Sequence, residues 1–273
     1  MEPDCQNIIV TGKSGAGKQP RIDVLTELFG LKQLSTGDIF RTYLGQFNKL
    51  AYEGPLDRFY DAASHAFIED DLIKKTIGLR DDARAADIIL GLKAGYYINQ
   101  GLFVPDEITN ALFKSAWRKM GYCGAVMDGY PRTPAQARFL YALAKQQGMR
   151  LDAILLVEND DQSIITRTVG RRICATCGEV FHLEHKPPPD AGHCGRSILE
   201  CDIIQRSDDT IESLRARLNE FRSKTLPAID YLTAQGIPLY RVPGNLPVFS
   251  PEAVKASVLD AMQIVAALNR RDE

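Results

Sequence analysis

The 273-residue sequence predicts an α/β fold, a parallel sheet covered on both faces by helices. Three observations predict it. Short apolar runs of strand length recur along the chain, with helical patterns between them. The first of these runs feeds straight into a glycine-rich turn and then a helix. The composition is that of an ordinary globular chain, 45% hydrophobic and 25% charged.

Asn7-Ile8-Ile9-Val10-Thr11 is short, β-branched and ends at a glycine, so it reads as a buried strand. The turn after it has the Gly12-x4-Gly17-Lys18 spacing of a phosphate-holding loop, and Gly12, Ser14, Gly15, Ala16 and Gly17 would line it. Ile22, Leu25, Leu28 and Phe29 then fall on one helix face, with Gly30 as the stop. Further strands are expected at 124–127, 153–157 and 238–242. Ligands of such sheets sit at the carboxyl ends of the strands, which is where the loop and Asp128 are expected. Two stretches stand apart from this alternation. Residues 42–100 are mostly helical in pattern, and residues 171–205 hold a cysteine cluster and Pro187-Pro188-Pro189.

The formal charge is −2, from 33 Lys+Arg against 35 Asp+Glu, so no general attraction to nucleic acid or anionic membrane is expected. No apolar run approaches the roughly eighteen residues of a membrane span. The start of the chain has no basic segment followed by a long apolar one, so a cytoplasmic protein is expected. Of six cysteines, Cys5 and Cys123 stand alone. Cys174, Cys177, Cys194 and Cys201 cluster beside three of the four histidines, a pattern that in a reducing compartment points to a metal site.

Several motifs then agree. Leu34-Ser35-Thr36-Gly37-Asp38-Ile39-Phe40-Arg41 resembles the LSTGD-x-x-R segment of adenylate kinases. Gly101-Leu102-Phe103-Val104-Pro105-Asp106-Glu107 resembles their G-x-LVPDE segment, and Asp128-Gly129-Tyr130-Pro131-Arg132-Thr133 with Gln136 resembles DGFPRT-x-x-Q. Gly170–Cys174 and Gln205–Asp209 match the borders of that family's lid. The resemblance runs in family order from Ile8 to about Gly236.

It implies a P-loop kinase-type sheet flanked by helices, with a helical NMP-binding insertion and a small zinc-binding lid. The divisions would be core 1–41, acceptor lobe 42–100, core 101–170, lid 171–205 and core 206–273. It implies Mg2+-dependent phosphoryl transfer between ATP and AMP, giving two ADP, by a monomer with no nucleic-acid or membrane partner. Lys18 would bridge the β- and γ-phosphates of ATP. Arg41 and Arg132 would hold the AMP phosphate, while Arg171, Arg206 and Arg217 would converge on the moving group. Arg206 and Arg217 would also serve the AMP side. Arg167 would stack over the ATP adenine, and Asp128 would organise Mg2+ through its water shell. Thr36, Gln136 and the backbone at Val104 and Gly129 would read the adenine of AMP. Arginine suits these places because its planar fork grips phosphate oxygens and stays charged. Two other readings stay open: a kinase for another nucleoside monophosphate, and a nucleotide-binding regulator with little turnover.

The chain departs from the family pattern in three places. The family loop reads G-x-PGxGKGT, whereas Ser14, Gln19 and Pro20 replace its proline, glycine and threonine. Proline is tolerated in a first helical turn, yet it removes one N–H from the donors offered to an anion. The side chain of Gln19 or Arg21 is expected to replace it in part. The lid spacing Cys174-x2-Cys177-x16-Cys194 is that of zinc-bearing members, but Ser197 stands where they carry the fourth ligand. Cys201 is the expected substitute, with Asp202 and His193 as alternates. Finally, 48 residues separate Arg41 from Leu90, roughly forty more than the family needs.

Overall fold

The computed structural model describes residues 7–80, 82, 84–184, 186–189, 194, 201–205 and 209–263. Strand β1 (Asn7–Gly12) leads into helix α1 (Lys18–Phe29), strand β2 (Lys32–Ser35) and helix α2 (Thr36–Asn48). A 3-10 turn (Leu56–Phe59), strands β3 (Tyr60–Asp61) and β4 (Ala66–Phe67), and helices α3 (Asp70–Thr76) and α4 (Ala85–Asn99) follow. Next come α5 (Asp106–Lys119), β5 (Ala125–Asp128), α6 (Pro134–Gln146), β6 (Ala153–Glu158) and α7 (Asp161–Val169). Strands β7 (Arg171–Cys174), β8 (Val180–His182) and β9 (Ile203–Ile204) precede helices α8 (Ile211–Glu220) and α9 (Leu226–Ala234), strand β10 (Leu239–Pro243) and helix α10 (Pro251–Ala261).

The expected parallel sheet is present as five strands in the order β10-β6-β1-β5-β2. β10 runs beside β6 with Leu239 opposite Ile154, and β2 runs beside β5 with Ser35 opposite Asp128. The central strands are apolar runs because helices cover both faces, and Ile8–Val10, Ala125–Met127 and Ile154–Val157 are all buried. β2 was not foreseen. It is a four-residue edge strand in which only Leu34 is buried, so it carries almost no periodic signal. Cys123, which stands alone in the sequence, is disulfide-bonded. No helix among the described residues is long and apolar enough to cross a membrane.

The chain forms two compact units. The first comprises the residues up to Ile9, Leu25–Ala153 and Ala228–Pro238; the second comprises Val10–Val24, Ile154–Pro227 and the chain from Leu239. In the first unit Asn7 is fully buried and ties three segments together. Its Nδ2 donates to the carbonyls of Tyr122 and Arg150, both at 3.1 Å, and its Oδ1 accepts from the Ala125 amide. A buried amide is tolerated when its donors and acceptor are met in this way.

The long insertion also belongs to the first unit. Phe59 and Ile73, both fully buried, pack with Phe47, Ile89 and Leu92 into a small core between the added residues and helices α2 and α4. Burying each of these two side chains contributes about 1.5–3 kcal/mol, which offsets part of the cost of ordering the segment. The helical pattern did not anticipate the β3–β4 hairpin. Tyr60 stacks on Tyr96 with ring centroids 4.6 Å apart, and Phe67 meets Tyr96 edge-on at 5.4 Å. Burial, together with a hydrogen bond to Tyr60, pushes the Tyr97 hydroxyl up to about 12.

Asn7→Ala removes those three bonds and leaves two carbonyls without their donor. It is expected to cost about 2–4 kcal/mol, read as a lower midpoint in urea unfolding. An unchanged midpoint would show that Asn7 is not the tie described.

Candidate nucleotide site

In the second unit the loop leaves β1 and turns back at Ser14–Gly15, where the Ala16 amide donates to the Lys13 carbonyl. Helix α1 then begins at Lys18, with Pro20 in its first turn, where a missing N–H breaks no helical bond. Lys18 Nζ donates to the carbonyls of Gly12 (3.1 Å) and Lys13 (3.2 Å), so the ammonium lies over its own loop. Arg217 Nη1 donates to Ser14 Oγ at 3.2 Å, which brings a second cation from α8 to the loop. On that helix Leu214 and Leu218 are buried and Arg215 is exposed, as the inward stripe implies. Lys13 does not face the loop; it pairs with Asp161 at 2.6 Å. The Lys13 hydrogen bond, reinforced by Arg222, holds the Asp161 carboxyl below the usual carboxylate range.

The backbone after β10 packs directly beneath the loop. A Cβ at Gly244 would sit 2.1 Å from the Ala16 carbonyl oxygen, so only glycine allows this approach. Arg167, the expected adenine-stacking group, reaches Asn245 Oδ1 at 3.4 Å. Gln19 Nε2 donates to Asp23 at 2.8 Å along the exposed face of α1. Arg21 is fully buried and turns inward, which corrects the expectation that it stands among the phosphate donors.

The lid is a three-stranded antiparallel sheet in the order β8-β7-β9. Asp209, fully buried, takes the Arg171 guanidinium in a two-pronged grip, at 2.9 Å to Nε and 2.5 Å to Nη2. Two of the five guanidinium donors are thereby used, which leaves three for other acceptors. Gln205 Nε2 donates to the Asp209 carbonyl at 2.9 Å and joins the same corner. Arg206, expected among the phosphate cations, lies outside the described residues, as do His193 and Ser197. The sulfurs of Cys174, Cys177 and Cys194 lie within 4.8 Å of one another. Cys194 Sγ is 3.4 Å from Cys177 Sγ and 3.3 Å from Cys201 Sγ. Sulfurs at about 2.3 Å around a tetrahedral zinc are roughly 3.8 Å apart, so Cys174, Cys177 and Cys194 are close enough to share one ion, whereas Cys201 lies beside Cys194 but outside that group of three. Asp202 is exposed, whereas Cys201 is buried in the cluster. His182 is also buried and its Nδ1 accepts from the Glu184 amide at 3.1 Å, a structural use of the ring.

In the first unit Thr36, Gly129, Arg132 and Gln136, all expected on the acceptor side, meet at the end of β5. Thr36 Oγ1 donates to the carbonyls of Gly129 (3.1 Å) and Asp128 (3.3 Å), and Arg132 Nε donates to the Gly129 carbonyl at 2.9 Å. Gly129 has φ +73°, and a Cβ there would stand 2.7 Å from Thr36 Oγ1. Gln136 is buried; its Oε1 accepts from the Arg132 amide and its Nε2 donates to Asp106, both at 2.7 Å. One carboxamide hydrogen and one lone pair remain beyond those contacts. Gln33, which no sequence signal singled out, donates to Asp128 at 3.1 Å. Arg41 is exposed and pairs with Asp38 at 2.5 Å, and Val104 is half-buried ahead of α5.

The family model for adenylate kinase matches residues 75–237. An adenylate kinase of Symbiobacterium thermophilum is 32% identical over 259 residues, covering 94% of this chain and 98% of that protein. Another, from Acholeplasma laidlawii, is 30% identical over 257 residues, covering 94% and 97%. A third, from a Thermoanaerobacter species, is 32% identical over 240 residues, covering 87% and 90%.

The chain belongs to the adenylate kinase family. Adenylate kinases are phosphotransferases. The model match starts at residue 75, beyond the loop, Thr36 and Arg41. For those residues the assignment rests on motif spacing and on the contacts described above.

Gly129→Ala forces an L side chain into left-handed backbone and against Thr36. A loss of about 1–3 kcal/mol is expected, seen as a lower melting temperature. An unchanged melting temperature would mean that the turn has room the contacts deny.

Proposed function

We propose that the chain catalyses reversible, Mg2+-dependent transfer of the terminal phosphoryl group of ATP to AMP. An oxygen of the AMP phosphate attacks the γ-phosphorus, the bond to the β-bridging oxygen breaks, and two ADP result. The protein's task is in-line placement, charge neutralisation and exclusion of water. The observation that carries this reading is Arg217 Nη1 on Ser14 Oγ, a guanidinium brought to the phosphate loop from a separate helix. A cation placed there serves charge that develops during transfer more than it serves binding alone.

Lys18 and Arg217 would neutralise the ATP phosphates, joined by Arg171 and Arg206, with Arg167 against the adenine. Arg41 and Arg132 would hold the AMP phosphate. Mg2+ arrives with ATP and supplies further neutralisation, and Asp128 would hold its water shell. Thr36 and the remaining capacity of Gln136 favour an adenine acceptor over a pyrimidine. We assign residues 42–100 to the acceptor lobe and 171–205 to a lid that shields the transferring group from water. Cys174, Cys177, Cys194 and Cys201 would hold a structural zinc. The ion would order a segment with almost no apolar core of its own. A monomer acting in the cytoplasm fits this reading.

A coupled assay of ADP formation with AMP, GMP, CMP and UMP tests the function. Turnover is expected with AMP, with at least about tenfold less for the pyrimidine acceptors. Nucleotide binding with no turnover on any of them would favour a regulator instead. Metal analysis is expected to give about one zinc per chain, and Cys201→Ser is expected to weaken its retention against chelator. Full retention in that variant would return the fourth position to Asp202 or His193.

A further inference from the structure

Arg21 stands one residue after the altered Gln19-Pro20 pair. It is a fully buried arginine, and its hydrogen bonds run to backbone carbonyls. Nη2 donates to the Pro243 carbonyl at the end of β10 at 2.6 Å, and Nη1 donates to the Gly17 carbonyl in the loop at 3.2 Å. The guanidinium lies 5.5 Å from the centre of the Phe249 ring. Its buried Nε has no hydrogen-bond partner among the described residues. A Cβ placed on Gly17 would be 3.4 Å from both Arg21 Nη1 and Arg167 Nη1, so the two nitrogens are no more than twice that distance apart. Burial first, and then the Arg167 charge, lower the Arg21 pKa. Two like charges therefore meet beneath the loop, and one of them is out of water. Such an arrangement is costly unless an anion lies close by.

We propose that Arg21 is a positioning residue for ATP. It latches the Gly17–Lys18 end of the loop to the end of β10 and adds a fixed positive charge beneath it, and so offsets the donor lost at Pro20. The proposal rests on the reading of the loop as the ATP site. Arg21 does not touch the nucleotide. It acts through the Gly17 carbonyl, which it holds turned down so that the neighbouring amides face the phosphates, and through Arg167 at its side. The triphosphate would in turn relieve the repulsion between the two guanidiniums, so ATP and the latch would stabilise each other. Pro20 suits this arrangement because its fixed φ holds the first turn of α1 without the threonine of the family loop.

The test is Arg21→Met, which keeps length and apolar bulk but loses the fork and the charge. KM for ATP is expected to rise about tenfold or more, the loss typical of a charged hydrogen bond, while KM for AMP stays within about twofold. Arg21→Lys, whose single ammonium cannot span both carbonyls, is expected to recover only part of the loss, and it carries the same test should the methionine variant not fold. The effect should depend on the loop. In a Gln19→Gly/Pro20→Thr background the change in KM for ATP on Arg21→Met is expected to fall below about threefold. The rise in melting temperature produced by a non-hydrolysable ATP analogue should shrink in parallel. An unchanged KM for ATP overturns the proposal. So does an equal effect in both backgrounds, or a loss that affects ATP and AMP alike and follows the melting temperature. If the parent chain makes no ADP at all, the proposed function fails, and the analogue-induced shift still decides the role of Arg21.

Discussion

Backbone packed on backbone beneath the phosphate loop is the constraint on which the rest depends. The Ala16 carbonyl approaches Gly244 too closely for any side chain, and the Gly244 amide donates to the Glu158 carbonyl at 2.5 Å. At Gly244 the loop therefore rests directly on the backbone that follows β10. Every substitution in the loop has to respect that contact. Gln19 and Pro20 do so because both lie in the first turn of α1, where one side chain points to solvent and the other needs no N–H.

Charge is distributed along the chain in the same spirit. Within each unit the cations expected to meet phosphate are held by another group of the protein: Arg217 by Ser14 and Arg171 by Asp209 in the second, Arg132 by Gly129 and Arg41 by Asp38 in the first. Bracing restricts these long side chains before any ligand arrives, which lowers the entropy lost on binding. The lid answers a different need. Among its described residues Cys174, Phe181, His182, Cys194 and Cys201 are buried, and a cluster of sulfur stands where a hydrophobic core would.

Much of this was legible in the sequence, for stated physical reasons. β1, β5 and β6 are buried on both faces, so their apolar runs betray them. The spacing of Cys174, Cys177 and Cys194 announced the sulfur cluster because a tight turn needs that separation. Thr36, Arg132 and Gln136 were singled out through motifs, and each makes local hydrogen bonds at the end of β5. Other features left no local trace. β2 is short and has one buried residue. The β3–β4 hairpin depends on aromatic contacts with α4, some thirty residues further along. One partner of Arg21 lies at Pro243, far along the chain, so periodicity gave no warning that its side chain would turn inward.

The central claim is that the chain passes a phosphoryl group directly from ATP to AMP, which requires both nucleotides to be bound at once. The most direct test is calorimetric titration of the chain with two adenosines linked by five phosphates, a single molecule that spans both positions. The account predicts one molecule bound per chain, in competition with both ATP and AMP. Competition with ATP alone, or two molecules bound per chain, would contradict it.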